Sequence, residues 1–470
     1  MKILLVNPPA ANGLRCIREG RCEQRADSFQ YLMTPISLPS IASVLQRDGF
    51  VVMIVDCIAD NISFDALKSI ISKESPALVV VNVATVSFNT DIQVAQLCKS
   101  QKIPVAAYGV HVTTTSEETM KSTSFDFLIR GEPEIICLYL VKALRDKNDL
   151  ASVKGISFRR QGVVVYNAPA PLIDDLDSLP FPDRTLLHNE LYIAPLSHKP
   201  YTLIIASRGC PYSCIYCTAH QYYGRKPRSR SADNILEEIR HVVEKLHIRY
   251  IAMWSDTFTL NKQFVLELCY KIIASGLDFE WYCNSRVDTI DDEMIKIMAK
   301  AHCKVITLGV ESLDQSILDR MKKRITVAQI ERAISICRLH GIKTQAHLIF
   351  GLPGETAQSI KRTIKGIKHA NPDYAEFYCA VPFPGTEFHD LMEKQGYITT
   401  KDYSRYELNQ AIVSYPTLSD KDIKNALIQA YRAFYLRPSY VWRKVREFPL
   451  RDWPSIGLQA ISWAKNWIFG

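Results

Sequence analysis

Short β-branched runs alternate with helix-patterned stretches along most of the chain, and a chain built this way folds as parallel sheets wrapped by their own crossovers. In the first 150 residues the runs are KILLVN (2–7), VVMIVD (51–56), ALVVVNVA (77–84), IPVAAYG (103–109) and DFLIRG (126–131). Between and after them, 37–46, 63–73, 90–100 and 134–144 carry apolar residues at helical spacing. The pattern predicts an α/β, doubly wound parallel sheet with both faces covered. Ligands of such sheets sit beyond the carboxyl ends of the strands. The loops to inspect are therefore Asn7-Pro8-Pro9, Asp56-Cys57, Thr85-Val86-Ser87, Gly109 to Thr113 and Gly131-Glu132. They are rich in small and hydroxylated residues, a composition that ordinary αβ loops share. No G-x-G-x-x-G follows the first run, which disfavours a nicotinamide or flavin dinucleotide.

A length of 470 residues points to roughly three domains. Hydrophobic residues at 47% and charged residues at 23% exclude a disordered chain. The net charge of +8 comes without a long basic block, so no nucleic-acid partner is expected. MKILLVNPP is too short and wrongly flanked for a signal peptide, and no window is apolar enough for a spanning helix. The 13 cysteines should then be mostly reduced thiols of a cytoplasmic protein. Domain 1–150 should be followed by a link over 151–195, holding a hairpin (155–160 against 163–167) and then the acidic PLIDDLDSLPFPD, whose Pro180 and Pro182 bar regular structure.

Within Ser207–Ala219, SRGCPYSCIYCTA, the residues Cys210, Cys214 and Cys217 form C-x3-C-x2-C. Three thiolates can hold a [4Fe–4S] cluster and leave one iron without a Cys ligand. An open position is how a metal site accepts a substrate. The other reading is a structural zinc completed by His220. Strand-like runs recur at 202–207, 250–254, 280–284, 304–308, 343–350 and 375–380, with helical segments such as 234–246 and 262–274 between them.

With Tyr216 directly before the third Cys, this loop resembles that of the radical S-adenosylmethionine (radical SAM) superfamily. The resemblance implies a partial (β/α)6 barrel over 196–400, with the open iron chelated by the amino and carboxylate groups of SAM and the sulfonium cleaved reductively to a 5′-deoxyadenosyl radical. The later runs end in elements similar to those of one large branch: Trp254-Ser255-Asp256-Thr257-Phe258-Thr259, Asn284-Ser285-Arg286-Val287-Asp288, Gly309-Val310-Glu311-Ser312, Gly351-Leu352-Pro353-Gly354-Glu355 and Pro382-Phe383-Pro384-Gly385-Thr386. They imply Tyr216, Asp256, Arg286, Glu311, Ser312, Gly351 and Glu355 as SAM-site residues. Arg286 also reads as a barrel-rim residue, and Glu311 and Glu355 as supporting or helix-starting carboxylates.

An α/β domain ahead of such a barrel resembles the cobalamin (B12)-binding class, whose members share N-P-P, G-x-H-x-T and R-G-E-x-E loops. This chain has Asn7-Pro8-Pro9, Gly109-Val110-His111-Val112-Thr113 and Arg130-Gly131-Glu132-Pro133-Glu134. Asn7, Thr85, Ser87, Gly109, His111, Thr113, Gly131 and Glu132 are thereby implied at cobalamin. The D-x-H-x-x-G signature that supplies a cobalt-ligating imidazole elsewhere is missing, and Tyr108 replaces a second Gly. His111 therefore reads as pocket-lining rather than as an axial ligand.

Cys57, Cys98, Cys137, Cys269, Cys303 and Cys337 read as core residues, with Cys283 and Cys379 at strand ends. Cys16 and Cys22 read as packing residues or a redox pair. Only Cys379 follows Cys337, which leaves no Cys-rich extension for a second cluster. From 401 the chain should be helical, ending in a tail that combines Arg and Lys with Trp442, Trp453, Trp463 and Trp467. This tail reads as a barrel-mouth cover or a membrane-surface contact. The resemblance implies a cobalamin-dependent methyltransferase acting on an unactivated carbon of a small, hydrophobic substrate, with a flavodoxin or ferredoxin as its electron donor. A non-methylating oxidative cyclase of the tetrapyrrole type and a non-catalytic B12 or metal sensor are the alternatives.

Overall fold

The computed structural model describes residues 1–10, 15–19, 22–25, 32–194 and 199–447. Its strands in chain order are β1 (Lys2–Asn7), β2 (Cys16–Glu19), β3 (Cys22–Arg25), β4 (Val51–Asp56), β5 (Leu78–Asn82), β6 (Val105–Tyr108), β7 (Phe127–Ile129), β8 (Ile156–Arg160), β9 (Val163–Tyr166), β10 (Tyr201–Ile205), β11 (Ser207–Arg208), β12 (Arg228–Ser229), β13 (Tyr250–Trp254), β14 (Glu280–Arg286), β15 (Cys303–Glu311), β16 (Lys343–Phe350) and β17 (Tyr374–Cys379).

The first sheet has the order β4-β1-β5-β6-β7-β8-β9, parallel from β4 to β7. β1 shows why it lies inside: Ile3 and Leu5 pack with helices 37–47 and 133–146, whereas Leu4 and Val6 pack with helices 64–74 and 88–100. A strand apolar on both faces belongs in the middle of a covered parallel sheet. The chain leaves β1 to one side for β4 and returns to the other for β5, so the switch point lies at the carboxyl ends of β1 and β5. The hairpin read as part of the link is the antiparallel edge of this sheet, with β8 on β7 and β9 on β8.

The second sheet runs β10-β13-β14-β15-β16-β17, all parallel and in chain order, with helices 232–244, 262–275, 292–300, 327–339 and 357–370 outside it. This is the partial (β/α)6 barrel. An open barrel has two edges whose backbone groups need partners. At β17, helix 420–435 lays Tyr431 and Tyr435 along the edge. Tyr431 Oη donates to Phe377 O at 3.2 Å and Tyr435 Oη to Ala375 O at 2.8 Å, and each phenol also accepts the N–H of the same residue. At β10, Arg184 from the link donates to Thr202 Oγ1 (3.0 Å) and Leu203 O (2.6 Å). Its charge meets Glu238 Oε1 at 2.5 Å, with both side chains fully buried.

Cys57, Cys98, Cys137, Cys269, Cys283, Cys303, Cys337 and Cys379 are all buried free thiols. In the β2–β3 hairpin Cys16 stands opposite Arg25 and Cys22 opposite Glu19, so the register does not set the two cysteines against each other. Trp442 is exposed on helix 438–447, whereas Trp453, Trp463 and Trp467 lie outside the described residues. No described helix is long and apolar enough to cross a membrane.

Burial alone would raise the Glu238 carboxyl, but the Arg230 and Arg184 charges outweigh it and hold the group below its ordinary range. The stability it contributes is present above the ordinary carboxylate range and is lost as pH falls through the depressed folded value. Glu238→Gln leaves two buried guanidinium groups under-compensated. It should cost about 3–5 kcal/mol in urea unfolding at neutral pH, and that difference should shrink on acidification.

Candidate active site

β11, pairing with β12, aims the chain into the loop of the cysteine triplet. Gly209 opens the loop at φ +88°, and a Cβ there would stand 2.3 Å from Lys226 O, so only glycine fits. The loop is then tied at several backbone points: Cys210 N–H to Gly224 O (3.2 Å), Cys217 N–H to Cys214 O (3.2 Å) and Ile215 N–H to Met321 O (3.2 Å). Cys210 and Cys217 are partly exposed and Cys214 is buried. Among the described residues no three Cys, His, Asp or Glu side chains are grouped as ligands of one ion. A zinc site at the triplet and His220 would need four donors about 2.0–2.3 Å from one centre, whereas a cubane meets three thiolates on three different irons. The donor set therefore fits a cluster held by Cys210, Cys214 and Cys217.

The expected residues converge on this loop in different ways. Asp256 Oδ2 accepts the Gly209 N–H at 2.8 Å, so its carboxylate shapes the loop entrance. Thr257 Oγ1 lies 3.9 Å from Cys210 Sγ, and Arg286 Nη1 3.9 Å from Cys214 Sγ. Arg286 is locked by both Asp288 oxygens (2.9 and 3.0 Å) and by Lys323 O (2.6 Å), with its guanidinium 3.5 Å from the Tyr212 ring centre. Donors aimed at cluster sulfurs tune and orient such sites.

Tyr216 and Glu311 meet through a residue that no motif marked. Lys323, almost fully buried, donates to Glu311 Oε1 at 2.7 Å and to Tyr216 Oη at 3.3 Å. Burial alone would raise Glu311, but the Lys323 charge outweighs it and holds the carboxyl below its ordinary range. Burial, then the Glu311 charge, pushes the Tyr216 phenol up, so it stays neutral. Glu311 sits at φ +64° beside a register shift between Gly309 and Glu311, the kind of irregularity that re-aims a side chain at a functional strand end. A Cβ on Gly309 would lie 2.8 Å from both Glu311 Oε1 and Lys323 Nζ. That missing atom was the only sequence signal for the ion pair.

Ser312 is fully buried behind this group, bonded to Thr363 Oγ1 (2.9 Å) and accepting from Asp314 N (3.1 Å). Gly351, at φ +88°, and Leu352 both donate their N–H to Glu355 Oε2, at 2.6 and 3.3 Å, while Glu355 Oε1 is buried without a hydrogen-bond partner. Burial raises the Glu355 carboxyl to about 8.

On the facing domain, the loop after β7 reaches across to the cluster loop. Glu132 accepts from Arg208 (3.2 Å), Arg228 (2.9 Å) and Ile173 N (2.7 Å), and Glu134 Oε1 from Arg208 at 2.5 Å. Glu132 is thus placed against the barrel rather than in the crevice. Gly109, at φ +135°, crosses so close to β5 that a Cβ would stand 2.2 Å from Val83 O. Thr113 Oγ1 donates to Gly109 O (2.8 Å) and accepts from Gly131 N (3.1 Å). His111 is buried between the Phe88 and Tyr403 rings, at 4.4 and 4.8 Å. Its Nδ1 is 3.2 Å from Thr85 Oγ1, its Nε2 has no hydrogen-bond partner, and burial lowers it to about 3, so the imidazole is neutral.

The β2–β3 hairpin lies over the switch point. Arg18 is paired with Asp91 (2.7 Å) and donates to Asn7 Oδ1 (3.1 Å), Ser87 Oγ (2.9 Å) and Pro8 O (3.2 Å), almost fully buried. Pockets lie on its two sides. One is bounded by Tyr108, Gly109 and Glu134 of the sheet domain and by Ile205, Tyr222 and Tyr223 at the barrel mouth. The close glycine turn at Gly109 and the neutral polar groups of Thr85 and Thr113 beside it suit a corrinoid.

Two outcomes are expected from this geometry. Gly209→Ala should leave the chain folded but reduce iron from about four per chain after anaerobic reconstitution, read by iron assay and visible absorbance. Because the folded state holds the Glu355 proton up to about pH 8 while an unfolded chain releases it near ~4.3, stability from this site is full below ~4.3 and drains as pH rises through 8. Glu355→Gln should therefore gain Tm relative to the unsubstituted protein between about pH 6 and about pH 9.

The radical SAM superfamily profile matches residues 204–367, and the B12 binding domain profile matches residues 25–139. An uncharacterized methyltransferase of Pyrococcus horikoshii is 30% identical over 450 residues, covering 95% of each chain. The anaerobic magnesium-protoporphyrin IX monomethyl ester cyclase of Rubrivivax gelatinosus is 27% identical over 418 residues, 87% of this chain and 74% of its own. Among solved structures, the radical SAM methyltransferase TsrM of Kitasatospora setae, with cobalamin and a [4Fe–4S] cluster bound, shares the fold at a TM-score of 0.69 and 17% identity, covering 85% of this chain and 79% of that one. With both domains and their order accounted for, the chain belongs to the radical SAM enzymes that carry a B12-binding domain, whose cofactors are a [4Fe–4S] cluster, SAM and cobalamin.

Proposed function

We propose that this protein is a cobalamin-dependent radical SAM methyltransferase that transfers a methyl group to an unactivated carbon of a small-molecule substrate. The observation that supports the reading is that Gly109 of the sheet domain and Tyr222 and Tyr223, a few residues after the cysteine triplet, line one pocket. When bound, the cluster supplies the electron for reductive SAM cleavage, and cobalamin supplies a carrier for the methyl group. Cys210, Cys214 and Cys217 hold the cluster, while Arg286 and Thr257 stand against two of their sulfurs. Tyr216, Asp256, Arg286, Glu311 and Lys323 would hold SAM at the carboxyl ends of β13 to β16, with Ser312, Gly351 and Glu355 supporting the turns behind them. Lys323 neutralises Glu311 so that the pair adds no net charge beside a cationic sulfonium. On the cobalamin side, Asn7, Thr85, Ser87, Gly109, Thr113 and Gly131 line or support the crevice, with His111 as packing rather than as a metal ligand. Glu132 aligns the two domains. A cytoplasmic flavodoxin or ferredoxin provides the electron.

The second reading, a non-methylating oxidative cyclase, is favoured by the resemblance over 418 residues to the Rubrivivax gelatinosus cyclase. SAM carrying a deuterated methyl group separates them. With an anaerobically reconstituted enzyme and an extract of its own cells as the substrate source, a methylase passes the label into a product and a cyclase does not. Replacing Cys210, Cys214 and Cys217 by Ala should abolish 5′-deoxyadenosine formation. Retention of that activity overturns both readings.

A further inference from the structure

Strands β16 and β17 carry a polar wall that adjoins the Glu311 group through His347 and extends beyond it. On β16 the pleat sends Thr344, Ala346, Leu348 and Phe350 into the core, and leaves Gln345, His347 and Ile349 half-buried on the inner face. On β17, Glu376 stands directly across from His347 in the register. The four polar side chains converge. Gln345 Nε2 donates to Glu376 Oε1 at 2.6 Å, and Tyr378 Oη donates to Glu376 Oε2. His347 Nε2 lies 3.5 Å from Glu376 Oε2 and 3.4 Å from Tyr378 Oη, with the two rings edge-on. On the opposite side of the barrel, β10, β13 and β14 carry the half-buried Ile205, Trp254 and Tyr282, which pack at the edge of the cluster formed with the sheet domain.

Most enclosed carboxylates carry their own cation. Glu355 and Asp56 are buried with no paired Lys or Arg among the described residues, whereas Glu376 keeps part of its side chain open to solvent. Glu311 has Lys323, Glu238 has Arg184 and Arg230, Glu132 and Glu134 have Arg208, and Asp91 has Arg18. Among the described residues no Lys or Arg pairs with Glu376, and its only ionic neighbour is His347. Its side chain is 25% exposed, and that of His347 32%, so the carboxylate remains within reach of solvent. A ligand that expels this water must bring a compensating charge or hydrogen-bond donor.

Resting on the methyltransferase reading, we propose that the Gln345–His347–Glu376–Tyr378 wall seats the substrate by a protonated amine head. Glu376 is the counter-ion, His347 and Tyr378 orient it, and the substrate's apolar body lies against Trp254 and Tyr282. A carboxylate-headed molecule of the same body would meet Glu376 with like charge and be rejected. The wall thus sets substrate class, and the two glutamates of the lumen divide the labour: Glu311 serves the SAM end with its own cation, and Glu376 waits for the substrate's.

The test uses the full chain, anaerobically reconstituted with cluster and cobalamin in the presence of SAM, and two probes of one body and opposite heads, phenethylamine and 3-phenylpropionate. Saturation-transfer NMR should detect binding of the amine and not of the acid. Glu376→Gln should weaken amine binding about tenfold or more while keeping its iron content and melting temperature. Trp254→Ala should weaken the amine as well, without admitting the acid. The proposal is overturned if the two probes bind alike, if Glu376→Gln keeps the preference, or if the amine fails to bind. Its failure is distinct from that of the methyltransferase reading, which is judged by 5′-deoxyadenosine and methyl label and not by either probe.

Discussion

A buried knot of two guanidinium and two carboxylate groups holds the two halves of the active site together. Arg208, Arg228, Glu132 and Glu134 have side chains no more than 4% exposed, and their charges cancel. Burying four charges is not in itself a source of stability, because desolvation consumes most of the attraction. Arg208 and Arg228 each even leave Nε buried without a partner. The geometric consequence is stronger than the energetic one. Arg208 lies two residues before Cys210, and Glu132 and Glu134 follow directly on the last parallel strand of the sheet domain. Any sliding between the domains would strand charges in a low-dielectric interface, so the crevice and the cluster loop keep one registration.

The barrel edges extend the same logic. A six-stranded barrel that fails to close gains a mouth wide enough for two cofactors and a substrate, but exposes two ladders of unpaired backbone groups. Here the ladders are met by side chains from outside the barrel, Arg184 of the link and Tyr431 and Tyr435 of helix 420–435. The link and the C-terminal helix are therefore parts of the barrel wall, whatever their position in the chain.

The strands and their order were legible because they rest on local chemistry: β-branched runs of fixed length, and loops whose glycines have no substitute at Gly109 and Gly209. The cysteine loop was legible for the same reason. Individual roles were less so. The resemblance implies Glu132 at cobalamin and Asp256 at SAM; in the fold their carboxylates also hold Arg208 with Arg228 and the Gly209 amide, contacts that a motif does not record. Lys323 and the lumen wall were invisible, since each forms only when residues from separate strands meet in three dimensions. The hairpin β8–β9 is legible as a hairpin, whereas its pairing with β7 is not. Antiparallel addition to a sheet edge is decided by which edge is free, a property of the whole sheet.

The hairpin over the switch point follows from a competition of the same kind. Arg18 uses Asn7 and Ser87, two of the residues that the motif pattern assigns to cobalamin, and it brings Asp91 a counter-ion that a neutral ligand tail could not. A ligand that took the place of Arg18 would have to replace one ion pair and several hydrogen bonds. The same exchange protects the crevice in the absence of ligand, since a buried Asp91 with no partner would be costly. The switch point is thus closed by side chains that satisfy one another, Arg18 with Asp91, Asn7 and Ser87.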